Sequence, residues 1–86
     1  WDWQKERIHN WVRALAKPYP MAFTFFNEHK VLINKIRFSE FGFSYDIPNG
    51  MILRDGIHPI IKTQNGCIEI IEYQSEFLLK KGNVLK

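Results

Sequence analysis

The chain has little of what builds a crosslinked or membrane-bound protein. Its one cysteine, Cys67, cannot close an internal disulfide, so a reducing, cytoplasmic setting is expected. His9, His29 and His58 stand on different predicted elements without Cys or carboxylate partners at ligand spacing, and no metal site is expected. No apolar run approaches the roughly 20 residues of a membrane span, and no charged-then-apolar opening resembles a signal peptide. A soluble chain without a membrane partner is therefore expected. Glycine-rich phosphate loops and the GxSxG and GxGxxG patterns are missing as well, and no catalytic residue is assigned. Glu69 and Glu72 fall on opposite faces of a regular strand, where they cannot share acid–base work. Cys67 has no sequence neighbour that would lower its pKa.

What is present is a folding composition. Of the 86 residues 45% are hydrophobic and 15% aromatic, which offsets chain entropy, and a core this small serves a single domain spanning 1–86. Twelve Lys and Arg against nine Asp and Glu leave a formal charge of +3, a mild preference for an anionic partner such as nucleic acid.

Ile8, Trp11, Val12 and Leu15 recur at helical spacing and predict an amphipathic helix over about 3–16. Asp2 is placed to cap its start, and Pro18 disfavours helical geometry at Lys17. Pro18-Tyr19-Pro20 then reads as a stiff extended connector. Beyond it the chain turns to β-branched and aromatic runs. Strands are expected at Ala22–Phe26, Val31–Phe38, Met51–Leu53, Ile57–Thr63 and Cys67–Tyr73, with a turn at Asn27-Glu28-His29 and an aromatic loop over 41–49. Asn65-Gly66 is the dipeptide favoured by a type I′ turn and predicts the last hairpin. Ile68 and Ile70 share one face while Ile71 and Tyr73 take the apolar role on the other, a slip that a bulge explains. These elements predict a mainly β fold with one N-terminal helix, a small OB-like antiparallel barrel of about five strands over 22–80.

Lys30, Lys35, Arg37 and Lys62 lie on neighbouring predicted strands and form a candidate nucleic-acid-binding face. The competing reading is an ordinary solvated sheet face. Phe41, Phe43 and Tyr45 alternate as base-stacking candidates, although such dense aromatics more often serve a core or an interface.

Trp1-Asp2-Trp3, the segment Asn10-Trp11-Val12-Arg13-Ala14, and Pro18-Tyr19-Pro20-Met21-Ala22 follow in an order that resembles the C-terminal domain of the folate-dependent formyltransferases. In that family an Asp-Trp, an Asn-x-x-Arg-Ala helix and a Pro-aromatic-Pro-Gly-Ala segment stand at this spacing. Asn49-Gly50-Met51-Ile52-Leu53 is similar to the family's Pro-Gly-x-Ile-Leu strand entry. The resemblance implies a non-catalytic domain following a catalytic domain of the same polypeptide, which would hold 10-formyltetrahydrofolate; no cofactor is expected in this domain. In the methionyl-tRNA formyltransferases such a domain helps to hold initiator tRNA. In the sugar-nucleotide formyltransferases, which act on an amino sugar nucleotide, it serves architecture or subunit contacts. Met21 stands where the family usually has Gly, and Asn49 where it has Pro; the longer link through Ala16-Lys17, with Tyr19 rather than Trp, also looks like the sugar enzymes. A stand-alone OB nucleic-acid module is the third alternative. The motif residues Asp2, Trp3, Asn10, Arg13, Pro18, Tyr19, Pro20 and Ala22 are expected to be scaffold, with Asn10 and Arg13 reaching backbone carbonyls where helix and barrel meet.

Overall fold

The apolar stripe read from the sequence becomes α1 (Lys5–Leu15), which buries Ile8 and Val12 and half-buries Trp11 and Leu15. This is seen in a computed structural model that describes residues 1–44 and 46–86. The helix start differs from expectation. Gln4, not Asp2, occupies the N-cap and supplies no side-chain bond. The cap comes instead from a distant loop: the Lys5 backbone N–H donates to Asn65 Oδ1 at 2.8 Å, and Asn65 Nδ2 donates to Glu6 Oε1 at 3.0 Å. One otherwise orphaned helical N–H is thereby satisfied. The Asn65 amide, followed by the backbone N–H of Glu6 itself, holds the Glu6 carboxyl below the usual glutamate range. At the other end Ala16 turns extended and the Lys17-Pro18 peptide is cis. Tyr19 N–H returns to the Ala16 carbonyl at 3.1 Å, so the proline segment opens as a turn rather than an extended connector.

Five antiparallel strands follow: β1 (Ala22–Phe26), β2 (His29–Ser39), β3 (Ile52–Arg54), β4 (Ile60–Lys62) and β5 (Cys67–Gln74). They form one sheet in the order β1-β2-β5-β4-β3. Two turns exchange the roles read from the sequence. The type I′ geometry belongs to the β1–β2 hairpin, where Asn27 and Glu28 have φ of 47° and 72°. The hairpin at Asn65-Gly66 does form, with Lys62 opposite Cys67, but its loop is longer and closes by Thr63 N–H to the Gly66 carbonyl at 2.8 Å. Gly66 is not left-handed. Ile57 is 85% exposed and outside β4, which begins only after Pro59, a residue without an N–H to give the ladder.

The slip in the last strand is real and has a counterpart. Between the pairs Ile33–Tyr73 and Lys35–Glu72 an extra residue, Asn34, enters β2; between Lys35–Glu72 and Ile36–Ile70 an extra residue, Ile71, enters β5. Register is thus restored while Ile68, Ile70 and Tyr73 all reach the core with Val31, Ile33 and Ile36.

The sheet order leaves β1 and β3 as edges, and the C-terminal segment joins them, extending the barrel past the expected residue 80. Ile52 N–H donates to the Asn83 carbonyl at 2.7 Å and Leu85 N–H to the Gly50 carbonyl at 2.8 Å, around a bridge between Met51 and Val84. On the far side Phe25 N–H donates to the Lys86 carbonyl at 2.9 Å and Lys86 N–H to the Phe25 carbonyl at 2.8 Å. Leu79 and Leu85 plug the interior.

Gly50 makes this return possible: its φ is 90°, and a Cβ there would stand 2.3 Å from the Leu85 carbonyl oxygen. At Gly66 a Cβ would meet only the flexible Lys5 side chain, at 3.1 Å. Gly50→Ala is expected to lower unfolding free energy by roughly 2–3 kcal/mol, and Gly66→Ala to stay within about 0.5 kcal/mol of the parent. Denaturant titration of both variants tests this, and the reverse ranking would refute the turn assignments. Glu28→Gly relieves a left-handed glutamate and should stabilise by about 0.5–1 kcal/mol; a lower melting temperature would contradict a type I′ turn.

Candidate functional surface

β2 carries three of the four basic candidates on its outer side. Lys30 lies near its start, with Nζ 4.7 Å from the centre of the Phe23 ring. Lys35 is exposed about 16 Å further along, five strand residues away. Arg37, 66% exposed, donates from Nε to the Glu69 carboxylate on the neighbouring strand. Glu72 accepts from Asn34 Nδ2 at 2.7 Å, so each acid answers its own β2 neighbour.

Lys62 does not join them. It is 3% exposed, with Nζ donating to Asn49 Oδ1 at 2.6 Å and to the Thr63 carbonyl at 3.4 Å, and lying 5.3 Å from the centre of the Phe43 ring. Asn49 Nδ2 passes the interaction on to Asp2 Oδ1 at 3.0 Å. Asp2, read as a helix cap, is instead the acidic end of a relay that satisfies a buried ammonium. The cause is non-local: the segment after β2 folds over this side of the sheet, where Phe43 and Ile47 pack on Leu53, Ile60 and Cys67. Phe43 is thereby a packing residue, Phe41 stays exposed, and Tyr45 lies outside the described residues. Cys67 Sγ donates to the Phe41 carbonyl at 3.4 Å, and burial pushes its thiol pKa up against the opposing charges of Lys62 and Lys5.

The motif residues divide. Ala22 is fully buried, and Pro18, Tyr19 and Pro20 are exposed. Asn10 and Arg13 were expected to bond backbone carbonyls; both are exposed, and neither side chain makes a hydrogen bond among the described residues. His9 packs on Phe38, His29 on Phe77, and His58 is exposed.

Trp3 belongs to a feature that sequence reasoning missed. Trp3 meets Trp11 at 5.5 Å between ring centres, Trp11 meets Phe23 at 6.0 Å, and Phe23 meets Phe25 at 5.7 Å, each edge to face. Trp3, Phe23 and Phe25 are all exposed. The Arg7 guanidinium lies 4.1 Å from the centre of the Trp3 ring, so a cation stands at one end and Lys30 flanks the other. The available signals were Trp3, Arg7 and Trp11 at four-residue steps and the Phe23-x-Phe25 alternation; what joins them is the docking of α1 against the β1 edge.

Beside this strip lies an apolar hollow of about 150 Å³, lined in part by Trp1, Ile8, Trp11, Val12 and Ile33. Its polar groups serve one another: Trp1 Nε1 donates to Thr24 Oγ1, which donates to the Lys86 carbonyl, both at 2.8 Å. Among the described residues no three His, Cys, Asp or Glu side chains gather to hold a metal, and no helix is long and apolar enough to cross a membrane.

Residues 1–77 match the family described as formyl transferase, C-terminal domain. The chain is also 37% identical over 76 residues to the methionyl-tRNA formyltransferase of Ruminiclostridium cellulolyticum, an alignment covering 85% of this chain and 24% of that protein. The chain thus spans about a quarter of the length of the curated relative it matches.

The relay makes a prediction that separates structure from binding. Asn49→Ala leaves the Lys62 ammonium buried without its best acceptor and should cost roughly 2–3 kcal/mol, whereas Lys62→Met, which removes the charge but keeps the stem, should cost less. Thermal unfolding of both checks the order; equal, negligible losses would show that the relay does not hold the N-terminal segment.

Proposed function

The chain belongs to the formyl transferase C-terminal domain family, and from that premise we propose that it is the acceptor-holding, non-catalytic domain of a 10-formyltetrahydrofolate-dependent formyltransferase whose acceptor is tRNA. One observation carries the acceptor: the chain is 37% identical to a methionyl-tRNA formyltransferase over an alignment that covers 85% of its length. In this reading the folate and the formyl transfer belong to a catalytic domain of the same polypeptide. Lys35 and Arg37, with Lys30 beyond them, meet phosphates, an OB-like curved sheet following the backbone without reading bases. An amino sugar nucleotide acceptor, with this domain serving architecture, is the outcome the test must separate.

The test is a titration of labelled tRNA into this chain at two salt concentrations. Affinity should be weak and salt-sensitive, with a slope of about 0.9 in log affinity per log salt for each phosphate contact on a duplex stem. Lys35→Glu combined with Arg37→Gln should weaken every tRNA alike and lower the slope by roughly 1–2. Unchanged affinity with an intact fold would remove this face from the reading, and preferential binding of an amino sugar nucleotide would replace tRNA as the acceptor.

A further inference from the structure

Of the strip Trp3–Trp11–Phe23–Phe25 only Trp11 packs against the core. Trp11 is half-buried and anchors the row, while the other three rings present π surface to solvent on a chain of 86 residues. Contiguous exposed aromatics on so small a domain mark an interaction surface. Its charge restricts the partner. Arg7 and Lys30 attend the strip, and Lys86 lines both the hollow beside it and the depression beyond Phe25, where it offsets Glu28. The ring contacts and cation contacts of the strip include no carboxylate.

We propose that this strip docks unpaired nucleotides of an RNA, with bases on the open aromatic faces and the intervening phosphates drawn to Arg7, Lys30 and Lys86. Arg7 and Lys30 lie over the Trp3 and Phe23 rings, so a base takes the opposite side of each ring or displaces the cation toward the adjoining phosphate. Aromatic side chains at the margin of a cationic surface are the usual means of holding single strands without reading their sequence. Charge complementarity favours this occupant over a second copy of the chain, which would bring the same cations to the contact. The proposal rests on the tRNA reading for the source of the RNA, but it concerns a different surface from Lys35 and Arg37 and a different part of the ligand: unpaired bases rather than a duplex backbone.

All three tryptophans of the chain, Trp1, Trp3 and Trp11, line the strip or its hollow, so intrinsic fluorescence reports on occupancy directly. Titration with a single-stranded oligouridylate should give saturable quenching, and a blunt RNA duplex of equal length should give little. The salt slope should be about 0.7 per phosphate contact, near 2 for three cations, and Arg7→Gln with Lys30→Gln should lower it by about 1.4. Phe25→Ser, which leaves all three reporters in place, should weaken single-strand binding roughly five-fold or more. Should the serine variant prove unfolded by circular dichroism, Phe25→Leu keeps the apolar bulk, removes the π face and should give the same loss. Equal quenching by the duplex, no quenching by the single strand, or parent-like binding by the folded Phe25 variant would each overturn the proposal. So would a concentration-dependent dimer in sedimentation equilibrium that the Phe25 variant dissolves, which would give the strip to a second copy. If the single strand fails while Lys35→Glu with Arg37→Gln still weakens tRNA, the strip proposal falls alone; if both fail, the tRNA reading falls with it.

Discussion

Main-chain pairing of the C-terminal segment to both sheet edges is the constraint from which the rest of this domain follows. Without it β1 and β3 would expose rows of unpaired N–H and C=O groups, and Leu79 and Leu85 would lose the interior they fill. The pairing requires a glycine at position 50, because no side chain fits beneath the Leu85 carbonyl. It also sets the Lys86 carbonyl where the Thr24 hydroxyl can reach it, and through Thr24 the Trp1 indole. One end of the chain is thereby pinned to the other, and the hollow with its flanking aromatics is a consequence of that closure. The family match stops at residue 77, whereas the closing hydrogen bonds begin at Gly82 and Asn83.

Periodicity made the helix and most strands legible, since Ile8, Trp11, Val12 and Leu15 can share one face only in a helix, and β-branched runs such as Ile68–Ile71 mark strands. The assignments that failed depended on partners far away in sequence. Asn-Gly occurs twice, at 49–50 and 65–66, and the dipeptide alone favours a tight turn at either. The fold instead uses Gly50 for close approach and Asn65 as a cap borrowed by a helix sixty residues earlier. The type I′ turn went to Asn27-Glu28, where a two-residue connection between paired strands imposes positive φ on a glutamate. The closing segment was illegible because Val84 and Leu85 are too short a run to show period-2 alternation.

Charge was the least legible property of the surface. Its place on a neighbouring predicted strand grouped Lys62 with Lys30, Lys35 and Arg37 on one face. Burial arises from the loop folded over that face, and it is tolerated because Asn49 and Asp2 carry compensation to the ammonium. The relay also explains why Asp2 is unavailable to α1, and why the helix takes its cap from the β4–β5 loop. One tertiary arrangement therefore moves two assigned roles at once. Removing Lys62 from the surface, and tying Arg37 to Glu69, shifts the free positive charge toward Lys35, Lys30, Arg7 and the end of the chain.

That redistribution bears on what the domain can hold. A flat row of cations on one strand suits a regular array of phosphates, as a duplex presents. Cations spaced around exposed rings suit a ligand that alternates charge with planar apolar surface. Both surfaces meet at β2, whose Lys30 faces the rings through Phe23 while Lys35 stands further along the same strand. The relative position of the two is fixed by the β1–β2 register and by the burial of Ile8 and Val12 beneath α1. In the proposed tRNA reading a paired stem running into unpaired nucleotides engages both surfaces, whereas a small acceptor would engage at most one of the two.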